Sequence, residues 1–395
     1  MDKWTIYVAR GIVSGGRFDP SQIEEGLLIG ALPQIVLAGK AQTPDIMRAL
    51  FEYLSFKDLS GSPLKITAHG TGEFSDTKNL ASVNKSIDTI IELNKRAGKP
   101  VISKIVFHAG AVHTFEEERK LRESQSYRNV DATFTIEEYL KTMDNVRTNI
   151  LNAAQYARGY GLTVLVENVG QINFATLPAD RMEDKPKELR EDPRWGETVW
   201  LPERLQLGDV GCAYDLDYLT GDKSQVCIDV EHLGQSVEYS EEFNLEKVKA
   251  GTVTEPEKSV LDRFGILVRK GSPILYKAPL NPEDVISRLN NRIAICHLGG
   301  QVSMVYEDKG RRVIGSHMPI TFGEQENEFI SDDESRLRHN LLLEQKLKTD
   351  LAALHEAGCR QGVLELHIGP IYAGEKWRHY NQVSLHNVRG IVDSL

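Results

Sequence analysis

Eight residues of this 395-residue chain carry side chains that divalent metals favour, and each lies in a short, mostly apolar setting. They are His69 in Ile-Thr-Ala-His, His108 in Val-Phe-His, Glu167 in Val-Glu-Asn, Asp229 and His232 in Cys-Ile-Asp-Val-Glu-His, His297 in Cys-His-Leu-Gly-Gly, His317 in Gly-Ser-His-Met-Pro and Glu365 in Leu-Glu. Imidazole and carboxylate suit zinc, manganese and iron. Six of the eight directly end an apolar stretch. At such a place the carboxylates of Glu167 and Glu365 are costly unless they are exposed or paired with a cation, and metal is the usual solution. In the Asp-x-x-His motif both side chains can turn to one centre as the chain leaves a strand, and the glycines after His297 let backbone crowd close to a ligand. The chemistry expected is that of a multinuclear divalent-metal enzyme. His113, His339 and His355 read as surface or loop histidines. His367 shares a strand face with Glu365 by period-two alternation, where lining a pocket and simple packing are both open.

These residues need a frame to bring them together, and the sequence provides a recurring one: a helical stretch, then glycine or proline, then a short apolar strand. Thr43-Pro44 starts a helix to about Phe56, followed by a strand at Leu64–Ala68 that ends at His69. Leu80, Val83, Ile87, Ile90 and Ile91 mark one helix face, Gly98 and Pro100 stop it, and Lys104–Phe107 delivers His108. Thr135 and Glu138 make a capping box for a helix through Tyr156, and Leu162–Val166 delivers Glu167. Strands at Gln225–Ile228 and Arg292–Cys296 precede Asp229 and His297. A charged helix from about Ser335 to Ala357 leads to Val363-Leu364 and Glu365. Polar residues capping strand after strand are the mark of a barrel's active face. The expected fold is therefore α/β, a (β/α)8 TIM barrel spanning residues 1–395 as one domain. Two stretches break the rhythm, at about 171–223 and 234–283, and are expected to be long βα-loop insertions over the active face.

The formal net charge is −10 and the pI is near 5.7. Such a composition advertises no basic stripe for nucleic acid, although a metal-bearing face can still take a phosphate. No apolar run approaches the roughly 18 residues of a membrane span. The reading is of a soluble, cytoplasmic protein with no membrane partner. Cys212, Cys227, Cys296 and Cys359 form no Cys-x-x-Cys pair, which suits buried, reduced thiols.

In order and wording the motifs resemble endonuclease IV within the xylose isomerase-like barrel superfamily. The matching segments are Ile66-Thr-Ala-His69, Val106-Phe-His108-Ala-Gly110, Val166-Glu-Asn168, Cys227-Ile-Asp229-Val-Glu-His232, His297-Leu-Gly, Gly315-Ser-His317 and Leu364-Glu365. The resemblance implies three zinc ions: one on His69, His108 and Glu167, a second on Glu167, Asp229, His297 and Glu365, and a third on His232 and His317. The family completes the third site with an aspartate two residues before the last histidine, where this chain has Gly315. It also probes a DNA duplex with an aromatic and an aliphatic residue just after the first histidine, where this chain has Gly70-Thr71-Gly72-Glu73.

Two reactions suit such a site. One is hydrolysis of a phosphate ester by two or three ions, zinc foremost and manganese or iron as alternatives. Eight candidate ligands favour it. The other is single-metal isomerisation or epimerisation of a sugar or polyol, which the superfamily's one-metal members imply, with Glu167 and Glu365 as the catalytic acid/base pair. Those epimerases usually carry an arginine six residues after the third ligand, and Ser303 stands there. Iron-dependent oxidation is a third possibility, and a non-catalytic binding barrel a fourth. The expected partner is a small molecule or phosphate ester, with neither the charge nor the wedge residues arguing for nucleic acid.

Overall fold

Eight short apolar segments pair in parallel, each with its sequence neighbours, and the eighth returns to the first. In the computed structural model these strands are β1 (Thr5–Gly11), β2 (Leu32–Val36), β3 (Ile66–Glu73), β4 (Ile102–His108), β5 (Thr163–Glu167), β6 (Gln225–Asp229), β7 (Ile293–Leu298) and β8 (Gln361–Leu364). A helix follows each strand: α1 (Ser21–Leu28), α2 (Pro44–Phe56), α3 (Thr77–Ala97), α4 (Ile136–Arg158), α5 (Leu216–Thr220), α6 (Pro282–Leu289), α7 (Asp333–Glu356) and α8 (Glu375–Val392). This is the expected closed α/β barrel. The structure describes residues 3–11, 13–14, 16–37, 39–56, 66–75, 77–113, 117, 136–169, 209–211, 213, 215–221, 225–233, 266–268, 275–277, 282–300, 306–308, 311–313, 317–327, 330, 333–366 and 375–395. Thr135, Cys212, Ser303, Gly315, His367 and most of the two long interruptions lie outside them.

Local chemistry accounts for the repeating unit. Val83, Ile87, Ile90 and Ile91 of α3 are buried at helical spacing, while Lys95 and Arg96 in its last turn complement the carbonyl end of the helix dipole. Gly98 after α3, Gly161 after α4 and Gly358 after α7 adopt φ of +63°, +72° and +86°. Each stops its helix in the left-handed conformation that glycine takes without penalty and turns the chain back toward the next strand.

Alternation along the strands sorts the barrel interior into layers. Tyr7, Val106, Leu165, Cys227, Ile295 and Val363 fill its middle as a separate apolar cluster. Two residues further along the last five strands stand His108, Glu167, Asp229, His297 and Glu365. The plug thus closes the barrel beneath the polar layer, and the same parity that buries Cys227 aims Asp229 inward.

Several elements differ from the sequence expectation. β3 runs on to Glu73, so His69 lies inside a strand, and β7 continues one residue past His297. Both are extended because neighbouring strands offer further backbone pairing, with a register shift between His69 and Glu73. β2 is an unforeseen strand, because Pro33 and Gln34 interrupt its apolar run. His339 is buried within α7 rather than on the surface, because its Nε2 lies 2.9 Å from the Gly300 carbonyl. From residue 209 the first interruption carries Asp209–Val210, paired with Gly110–Ala111, and then α5. The second holds the hairpin Ile266–Val268/Leu275–Lys277. Cys227, Cys296 and Cys359 are free and buried, as expected. No helix among the described residues is long and apolar enough to cross a membrane.

Candidate metal centre

Glu167 sits at the C-terminal end of β5, 1% exposed, with its two oxygens facing different partners. Oε2 lies 3.1 Å from His69 Nε2 and 3.5 Å from His108 Nε2. Oε1 lies 3.0 Å from His297 Nδ1 and 3.9 Å from His232 Nδ1. His297 Nδ1 is in turn 3.2 Å from Glu365 Oε1. Two groups of nitrogen and oxygen donors alone result among the described residues, each with all its donor atoms within 4.8 Å of one another: His69, His108 and Glu167, and Glu167, Asp229, His297 and Glu365. They share Glu167.

Backbone groups orient these side chains. His69 Nδ1 is 3.0 Å from the Gly70 carbonyl, so it donates there and turns Nε2 toward Glu167. After β6 the chain makes a helical turn at 230–233, and Asp229 caps it by accepting the His232 backbone N–H at 2.9 Å on Oδ1. The other oxygen, Oδ2, is left 3.4 Å from His232 Nδ1. The Asp-x-x-His spacing is therefore that of a capped turn. Asn168 locks this corner: its Oδ1 accepts the Asp229 N–H at 2.6 Å, its Nδ2 donates to the Asp229 carbonyl at 3.0 Å, and its own carbonyl lies 2.9 Å from His232 Nδ1.

The electrostatics explain why these groups tolerate burial. Among the described residues, every ion pair to Glu167, Asp229 and Glu365 comes from a histidine. Burial alone would raise the Glu167 carboxyl, but the charge of His297 and hydrogen bonds from His108, His297 and His69 hold it well below the ordinary value. Burial would likewise lower His297, yet Cys227, Glu167 and Glu365 drive it well above. His69 is raised, with the Glu167 hydrogen bond overcoming burial. Protons on these histidines thus stand where a cation would, and the nitrogen and oxygen donors with no lysine or arginine among their ion pairs fit a divalent ion.

All eight predicted residues lie at the C-terminal end of the barrel. His232 and His317 are neighbours, with ring centroids 5.9 Å apart, but neither joins the two tight donor groups. His317 Nδ1 is 3.8 Å from Glu365 Oε2. Four further residues escaped the sequence reading. Asn168 stood in a quoted motif without a role. Gln34, fully buried on β2, places its Nε2 3.2 Å from His297 Nε2; a polar residue in an apolar strand was the available signal. Cys227 reaches within 4.8 Å of Glu167 and His297 donors, and burial pushes its thiol up to about 12. Glu231 is buried beside Asp229 and Glu365, and burial first, then those carboxylates, push it up to about 7. The segment after His69 is tied to the barrel wall: Gly70 lies against Phe107, and Gln42 Nε2 donates to Thr71 Oγ1 at 2.5 Å.

No family model matches the sequence, and no curated protein does. The fold is similar to a D-tagatose 3-epimerase-like protein (12% identity, 99% of each chain, TM-score 0.46). It is also similar to endonuclease IV from Thermus thermophilus (15% identity, 99% of this chain and 100% of that one, TM-score 0.44) and to D-psicose 3-epimerase in the presence of D-fructose (10%, 98% and 99%, TM-score 0.46). Likenesses this distant leave the chemistry to the side chains themselves.

Proposed function

We propose that the chain is a divalent-metal-dependent hydrolase of phosphate esters whose site holds at least two ions, zinc foremost, bridged by Glu167. The observation that carries this reading is the division of Glu167, one oxygen toward His69 and His108 and the other toward His297. A one-metal isomerase needs only the second donor group and leaves His69 and His108 without a task. Bound there, divalent ions supply Lewis acidity and activate water at neutral pH. The chain's residues hold that assembly still: Asp229 is fixed by its capping bond and by Asn168, and His69 by Gly70. Glu365, 16% exposed, is the most open carboxylate of the deeper group.

The complete four-residue group Glu167, Asp229, His297 and Glu365 favours a second reading, single-metal sugar isomerisation. It asks Glu167 to exchange a proton with a carbon. That reading gives no part to His69 and His108, whose Nε2 atoms stand 3.1 and 3.5 Å from Glu167 Oε2.

The test is to load metal-free protein with zinc or manganese and assay bis(4-nitrophenyl) phosphate, a duplex with an abasic-site analogue, and ketohexoses in deuterated water. Phosphodiester cleavage that is lost in both His69→Ala and His108→Ala supports the hydrolase. Deuterium incorporation at sugar carbon, surviving those variants and lost in Glu365→Ala, would replace it with the isomerase.

A further inference from the structure

We propose that the outer face of α7 is the interface of a symmetric dimer, in which two copies of this chain pack their α7 helices antiparallel about Leu341. An outer barrel helix ordinarily turns its apolar stripe inward and its polar face to water. α7 packs between α6 and α8, and its Leu343, Leu347, Leu351 and Leu354 are fully buried. Yet it also buries His339, Asn340 and Asp350, while Leu337, Leu341 and Leu342 are 42%, 53% and 45% exposed. The buried polar groups are accounted for: Asn340 Nδ2 donates to the Gly323 and Gln325 carbonyls at 2.9 Å, and Asp350 pairs with Lys346. No comparable gain among the described residues accompanies the exposure of the leucines. A single exposed leucine is ordinary, but three on adjoining turns make a patch.

The charges around Leu341 indicate what covers it. On a helix the residues three, four and seven positions from Leu341 share its face. They are Arg338 and Glu344, Leu337 and Gln345, and Glu334 and Lys348. A two-fold axis at Leu341 brings each residue opposite the one equally far on the other side. Arg338 then meets the partner's Glu344, Glu334 meets the partner's Lys348, and the two Leu341 side chains meet at the centre. Each charged contact joins opposite signs and occurs twice. Within one chain Glu344 already holds Lys348 at 2.6 Å, which keeps both side chains on this face. A parallel, in-register pair would instead set Arg338 against Arg338 and Lys348 against Lys348. With a net charge of −10 the whole chain repels its copy, so association depends on this local match.

Sedimentation velocity of the full metal-free chain, over a concentration series into the hundreds of micromolar, should show a reversible monomer–dimer equilibrium. Leu341→Lys places two like charges on the axis and should weaken association roughly tenfold or more. Its melting curve at low protein concentration should stay that of the wild type, because the position is exposed. Arg338→Glu sets acid against acid twice and should weaken the dimer about fivefold, and adding Glu344→Arg to it should recover most of that loss. A wild-type chain that stays monomeric throughout the series would overturn the proposal. So would a dimer that Leu341→Lys leaves within twofold of the wild type, since another face would then be its interface. Failure of the double variant to recover would overturn the antiparallel register. If Leu341→Lys does not fold, the wild-type series and the charge exchange decide.

Discussion

The two sides of Glu167 are built differently. On the Oε1 side, Asp229 and His297 are almost wholly buried, and Asn168 and Gln34 hold them from behind. On the Oε2 side, the His108 side chain is 31% exposed and His69 is steadied by a single carbonyl. The buried half has its side-chain geometry fixed in advance, whereas the other half is more open to solvent. On the proposed two-ion reading, such asymmetry makes one ion tightly held and the other more exchangeable, so that the halves fail differently when altered.

The largest effect is expected where the halves meet. Glu167→Gln should leave less than one ion per chain by elemental analysis and reduce turnover on the order of a thousandfold or more, since bridging metals supply several kcal/mol of transition-state stabilisation. His297→Ala should remove the buried ion and also weaken the fold by about 3–5 kcal/mol in denaturant melts, because it strands buried carboxylates. His108→Ala, in the open half, should lose one ion and roughly a hundredfold in rate while its metal-free melt stays near wild type. Equal stability losses in these two histidine variants would erase the distinction. Asn168→Ala should weaken metal binding about 10–100-fold without changing the number of ions, as outer partners of ligands do.

Acidity sharpens the contrast further. The raised His297 and His69 must give up protons to bind metal, so apparent affinity should climb about tenfold per pH unit per displaced proton until the pH passes their raised values. The sign reverses without metal. A raised histidine contributes stability that is complete below its unfolded value near 6.5 and is lost as pH rises through the folded one. Between about pH 6.5 and those raised values, melts should therefore show metal-free protein weakening while metal-loaded protein holds level, because the gain in metal affinity offsets the loss.

Much of this frame was legible in the sequence, for physical reasons. Six strands of the candidate site announced themselves because apolar runs ended in a residue too polar to be buried alone, and glycines marked where helices stop. β2 stayed hidden because Pro33 and Gln34 look like a break, although Gln34 turns inward to meet His297 across the barrel. Asn168 and Glu231 were beyond a linear reading: their importance comes from backbone hydrogen bonds across β5, β6 and the His317 segment. The extension of β3 past His69 depends on strand pairing that spacing does not encode.

The most direct test of the bridge is X-ray absorption on zinc-loaded protein alongside zinc content per chain. The bridged site predicts at least two equivalents and metal–metal scattering at about 3.5–4 Å, abolished in Glu167→Gln. One equivalent with no metal–metal scattering would contradict it and make His69 and His108 bystanders to a single-ion site.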